Sequence, residues 1–91
     1  SNSDYKMRCG LPISSIDVAI AMEHIALAAV AEGLATCWIG SFYPEKLKPI
    51  LGIPDRIAVI ELMPIGYPAD TSVPRPRESV DKIVCFEKWK W

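Results

Sequence analysis

Two groups of residues in this 91-residue chain have types and spacings suited to gripping a ligand. The first is Val73-Pro74-Arg75-Pro76-Arg77. Two prolines hold this stretch extended, and in an extended chain residues two apart present to one side. Arg75 and Arg77 would then aim two planar guanidinium forks at a single phosphate. A solvated loop, kept soluble by its two charges, is the plainer account. The second group is Trp38-Ile39-Gly40-Ser41. Gly40 has no Cβ, so a ligand edge can approach its backbone, and successive N–H groups form an acceptor-binding nest. With Trp38 and Ile39 as an apolar wall, the segment suits a flat ligand with polar edges. An ordinary strand-to-turn transition with Trp38 in the core is the simpler reading.

Other reactive groups offer less. His24 and Cys37 could act as base and nucleophile, but they sit on different elements and nothing in the sequence fixes their separation. The only histidine, on an apolar helix beside Glu23, reads as a satisfied structural residue. No pair of Cys, His or acidic residues has metal-ligand spacing, so no metal site is expected. Cys37 and Cys85 read as small core residues.

The elements that must position these groups follow from periodicity. Residues 15–32 predict a helix, with Ser14 as N-cap, Asp17 in capping-box spacing and in the dipole-favoured first turn, and Gly33 as the C-terminal stop. Ile16, Ile20, Ile25, Leu27 and Val30, with alanines between, cover most of its circumference, which predicts burial on nearly all sides. Residues 36–39 are β-prone and predict a short strand. Pro44 opens a second helix over 44–51, which Pro49 must kink or shorten and Gly52 closes. The apolar run over 56–65 predicts a strand buried on both faces, ended by Gly66-Tyr67-Pro68. Residues 69–76 read as a loop, 78–84 as a short helical turn, and the aromatic, basic tail from Phe86 to Trp91 as extended. The lead-in before Pro12 shows no periodicity. Helix, strand, helix, strand and tail make an α/β or α+β unit, and two strands alone form only a marginal sheet.

Composition sets limits on partners. The chain is 51% hydrophobic with three Trp, three Tyr and two Phe, more than an isolated domain of this size can bury. Part of that surface should therefore meet another chain or belong to a larger core. A net charge of −1 with no like-charge run argues against nucleic acid. Three widely spaced cysteines fit reduced thiols and a cytoplasmic setting better than a disulfide framework. The apolar run over 18–30, broken by Glu23 and His24, reads as too short to span a bilayer. The Trp89/Trp91 tail reads as an arm on a partner subunit rather than a membrane anchor. Ser1-Asn2 resembles the remnant of a cleaved tag and is excluded from fold reasoning.

Taken in order, the segment from Ile16 to Ile25, the run from Gly33 to Phe42, Leu51-Gly52-Ile53-Pro54, Ile65-Gly66-Tyr67-Pro68 and Pro74-Arg75-Pro76-Arg77 resemble the nitroreductase family. That resemblance covers roughly residues 16–89. It implies a mixed sheet with flanking helices, an obligate homodimer and FMN-dependent NAD(P)H oxidoreductase activity on a nitroaromatic, quinone or similar small-molecule acceptor. By the same resemblance, the backbone around Ile39, Gly40 and Ser41 meets the flavin near N5 and O4, Trp38 belongs to the same cofactor-binding segment, and Arg75 and Arg77 hold the FMN phosphate. The long helix then packs in the dimer core, and the tail reaches across to the neighbour. The family's Arg-Ser-Arg-type phosphate motif and Pro-Ser-x-x-Asn-type flavin loop do not occur here. The chain thus corresponds to the C-terminal half of such an enzyme, a single unit over 1–91 whose missing half would supply strands as well as ligands. The alternatives are a non-catalytic oligomerisation or structural fragment without cofactor, and a module that binds a phosphate ligand without redox chemistry.

Overall fold

Helix α1 spans Ile13–Ala31 and dominates the molecule. The computed structural model describes residues 5–70 and 73–91, so the tag-like Ser1-Asn2 lies outside the described residues. The helix starts two residues earlier than its sequence pattern predicts. Pro12, extended at φ −69° and ψ 127°, stands at its N-cap without a side-chain cap. Ser14 is therefore a buried residue of the first turn and not the cap, and Asp17 falls past that turn, which holds no acidic residue. The lead-in supplies the reason. Met7 and Ile13 donate backbone hydrogen bonds to Leu11 (2.9 Å) and Tyr5 (3.1 Å), and Gly10 closes the turn at φ 89°. This folded loop, rather than an irregular segment, delivers the chain into the helix at Ile13.

The far end of α1 is set by Gly33 as expected. Its φ is 76°. Its N–H bonds Val30 at 3.1 Å, and the Leu34 N–H bonds Ala29 at 2.8 Å. These paired bonds satisfy carbonyls that a helix terminus leaves open, and the left-handed residue turns the chain away. Strand β1, Ala35–Thr36, follows at once. Helix α2 covers Pro44–Leu51, with proline in the first turn and Gly52 left-handed at φ 67°. Pro49 costs it one hydrogen bond, and it ends two residues later. Helix α3 is a single turn, Val80–Ile83. The tail is bent rather than extended: Glu87 takes φ 70°, and the rings of Trp89 and Trp91 meet edge to face at 5.2 Å.

Strand β2, Ile65–Gly66, pairs antiparallel with β1, Ala35 opposite Gly66 and Thr36 opposite Ile65. The same register returns at Ile39, which exchanges hydrogen bonds with Leu62 at 2.9 and 3.1 Å. Between these two pairings Cys37 faces Pro64. Proline has no N–H to give, so the ladder lapses there and resumes beyond it. Neither the strand predicted over 36–39 nor the one over 56–65 is therefore continuous. Among the described residues the sheet is two-stranded and antiparallel, which makes the chain α+β; the expected mixed sheet is not seen within it.

Burial departs furthest from expectation. Of α1, only Ser14, Met22 and Ala29 are buried. Ser15, Val18, Met22, Ala26 and Ala29 are half-buried or better, and their spacing of three and four makes one stripe. Away from this stripe Ile20 is 53%, Leu27 63% and, on its flank, Val30 70% exposed. Cys37 is exposed and Cys85 half-buried, so neither is a core residue. His24 is exposed, not a satisfied interior histidine. The accessible surface is 8186 Å², against about 5,300 Å² for a compact monomer of this mass. The radius of gyration is 17.3 Å, against about 12 Å for a compact domain of this length. A helix apolar all round needs cover on all sides, and 91 residues do not supply it.

By length and hydropathy α1 could cross a bilayer, contrary to the estimate from residues 18–30 alone. Glu23 and His24 lie near its middle, however, where one charge costs about 2.5–3.5 kcal/mol in hydrocarbon. The helix is better suited to packing against protein.

Two glycine substitutions test this account of the turns. Gly33→Ala, forced to keep a left-handed backbone, should lose ~1 kcal/mol, seen as a lower urea midpoint for helical circular dichroism. Gly66→Ala, with open space and no positive φ, should leave that midpoint unchanged or raise it.

Candidate functional site

The register of β1 and β2 determines the geometry around Gly40. If Ile39 and Leu62 form a hydrogen-bonded pair, the next residues, Gly40 and Glu61, stand opposite each other as a non-hydrogen-bonded pair. In such a pair the Cα atoms come to about 4.5 Å and the backbone N–H and C=O groups point away from the partner strand. The N–H of Gly40 is thus directed outward from the sheet edge. Among the described residues neither it nor the Ser41 N–H finds an acceptor. Both are open donors, and the register sets the outward direction of the Gly40 one.

The reason for glycine at position 40 differs from the one its sequence context implies. A Cβ there would lie 3.0 Å from Oε1 of Glu61. The missing side chain makes room for a carboxylate across the strand, and any ligand must come to Gly40 along its N–H edge. Glu61 itself was not singled out by sequence reasoning. Its Oε2 is shut off from solvent and has no hydrogen-bond partner. The available signal was a lone charge within the apolar run Ile57-Ala58-Val59-Ile60-Glu61-Leu62-Met63. A strand meant to be buried on both faces has no place to hydrate that charge.

Trp38 is 41% exposed, not a core residue, and by strand alternation shares a sheet face with Gly40 and Glu61. Ile39 is half-buried and points to the other face. Arg75 and Arg77 are exposed on the loop before α3. Among the described residues neither forms an ion pair, and no hydrogen bond ties their loop to Trp38, Ile39, Gly40 or Ser41. The structure therefore joins four of the six candidate residues in one segment, adds Glu61 to them, and leaves the two arginines on a separate loop. His24 and Cys37 make no hydrogen bond to each other; the Cys37 thiol turns to the Trp38 carbonyl at 3.7 Å.

A cavity of about 600 Å³ lies at the other end of the paired strands, among Val30, Leu34, Thr36, Pro68 and Asp70. It includes none of the candidate residues.

The sequence profile of the nitroreductase family matches residues 3–67. The chain belongs to the nitroreductase family. Its match stops at Tyr67, so Arg75 and Arg77 lie beyond it. An FMN reductase (NADPH) of Bacillus subtilis is 34% identical over 67 residues, which are 71% of this chain and 27% of that protein. An NADPH-dependent oxidoreductase of Staphylococcus aureus is 31% identical over 84 residues, 88% of this chain and 34% of that one. The crystal structure of a nitroreductase family protein from Clostridium difficile superposes with a TM-score of 0.75 at 25% identity, covering 92% of this chain and 52% of that chain. This nitroreductase family chain thus spans well under two thirds of the proteins it matches.

The contact between Gly40 and Glu61 is testable by a double-mutant cycle. Gly40→Val should destabilise the paired strands, and Glu61→Ala should relieve most of that loss. A coupling of about 1 kcal/mol is expected from urea unfolding of the four proteins.

Proposed function

We propose that this chain is part of an FMN-dependent oxidoreductase that takes hydride from NAD(P)H and passes it to a nitroaromatic, a quinone or a similar small acceptor. The observation that carries this reading is the open N–H donor of Gly40, aimed outward from the sheet edge of a nitroreductase family chain, with the Ser41 N–H beside it also lacking an acceptor among the described residues. Among the described residues nothing accepts a hydrogen bond from either group, and the exposed Trp38 stands two residues away on the same segment. Such donors suit the polar edge of a flavin ring. The unpaired Arg75 and Arg77 suit its phosphate, which planar guanidinium forks bind by two parallel hydrogen bonds each. The residues present therefore fit FMN, with Glu61 closing the Cβ side of Gly40 against the ligand.

Bound FMN supplies the electron chemistry, accepting hydride and handing it on. The chain's own groups hold and orient. The Gly40 N–H, aimed outward by the Ile39–Leu62 bridge, and the Ser41 N–H beside it would stabilise negative charge on the ring, and the bridge keeps the Gly40 donor in place beforehand. No side chain of this segment has to move a proton. The bare face of α1 and the aromatic tail suit a second copy of the chain, and we read the working form as a cytoplasmic homodimer that excludes water from the site between protomers.

Mixing the purified protein with excess FMN tests this. A yellow dimer that oxidises NADH or NADPH is the expected result; a colourless protein that retains no FMN would defeat it. The large exposed apolar surface favours one rival, an oligomerisation fragment without cofactor, which predicts a stable colourless oligomer. Flavin bound without NAD(P)H oxidation would point instead to a phosphate-ligand module.

The arginines make a separate prediction. Arg75→Ala or Arg77→Ala should remove one charge-assisted contact worth about 1.5–3 kcal/mol, weakening FMN by roughly 10- to 100-fold in Kd. Riboflavin, which has no phosphate, should bind both variants as it binds the unmutated protein in fluorescence titration.

A further inference from the structure

Glu61 is a half-buried carboxylate that this function leaves unused. Its carboxylate lies against the Cα of Gly40, with Oε1 3.0 Å from the position a Cβ would take. Its Oε2 is sealed from water and unpartnered. Among the described residues the single ion pair is Lys82 with Glu78, so no cation neutralises Glu61. A charge partly withdrawn from water and left without a counter-charge acts over several ångströms. The register makes this position unavoidable: with Ile39 bonded to Leu62, residue 61 must stand beside residue 40.

We propose that Glu61 sets the reduction potential of the flavin bound at Gly40, holding it below the value that the open backbone donors alone would give. This rests on the FMN reading above and deepens it. Hydride transfer from NAD(P)H adds two electrons and one proton to the ring, leaves NAD(P)+, and raises the ring's negative charge by one. A carboxylate on the Cβ side of Gly40 would oppose that change. The N–H groups of Gly40 and Ser41 favour it. Glu61 is thus a tuning residue that acts through the field at the site, without touching the acceptor or the reacting atoms. A more negative bound flavin gives up its electrons more readily, which suits acceptors of low potential.

The test is the midpoint potential of FMN on the purified protein, measured by spectroscopic titration against reference dyes, for the unmutated chain and three variants. Glu61→Gln keeps the shape and removes the charge. Glu61→Leu removes the charge and leaves no buried polar group, so at least one neutral variant should fold. Both should shift the equilibrium toward reduced FMN by about tenfold, about 30 mV for a two-electron couple. Glu61→Asp, which keeps the charge, should stay within about twofold of the unmutated protein. The ratio of Kd for oxidised to reduced FMN should rise in parallel in the two neutral variants. Bound FMN whose potential is the same in Glu61→Gln and Glu61→Leu as in the unmutated chain overturns this inference and leaves the FMN reading standing. Failure of the unmutated chain to bind FMN at all overturns both.

Discussion

The antiparallel register that sets residues 35–40 against 61–66 is the constraint on which the rest of this molecule turns. One offset serves Ala35 with Gly66, Thr36 with Ile65 and Ile39 with Leu62. It survives the lapse opposite Pro64 because equal numbers of residues lie on both sides of the gap. A slip by one residue would invert every side chain, taking Glu61 away from Gly40 and turning Trp38 to the other face. It would also bring the Gly40 N–H into the ladder, where the partner strand would consume it. The outward donor and the nearby carboxylate are two consequences of one pairing.

Gly40 therefore answers two demands at once. Along its N–H edge it offers an unobstructed donor beside Ser41. On its Cβ side it accommodates a charge that the strand pairing brings within van der Waals reach.

The second governing fact is a shortage of cover. The accessible surface exceeds that of a compact monomer by about 2,900 Å², which is the scale of an obligate interface. Much of it belongs to α1, whose one stripe rests on this chain while Ile20, Leu27 and Val30 face outward. Tyr43, Ile50, Tyr67 and Trp89 add to it. The nitroreductase family relatives are longer proteins of which this chain matches a part. A helix that is apolar around its whole circumference is stable only where packing surrounds it.

Local chemistry was legible in the residues themselves. Gly33 and Gly52 end helices because only glycine enters the left-handed region cheaply; Pro44 opens α2 because a first-turn N–H has no partner to lose. The motif order likewise identified the family. Ser14 failed as a cap because a folded lead-in, closed by long-range backbone bonds from residues 5–13, brought the chain into helix sooner. The strand over 56–65 failed because Pro64 withholds a donor, a cost that appears only once Cys37 is known to stand opposite. Burial of α1, Trp38 and Cys37 could not be read from hydropathy, since apolar character records what a residue prefers and not whether the neighbours that would satisfy it lie in the same chain. Glu61 shows the division most clearly. The sequence could mark it as a charge among apolar residues, but only the pairing of two strands across more than twenty residues decided which backbone atom that charge would face.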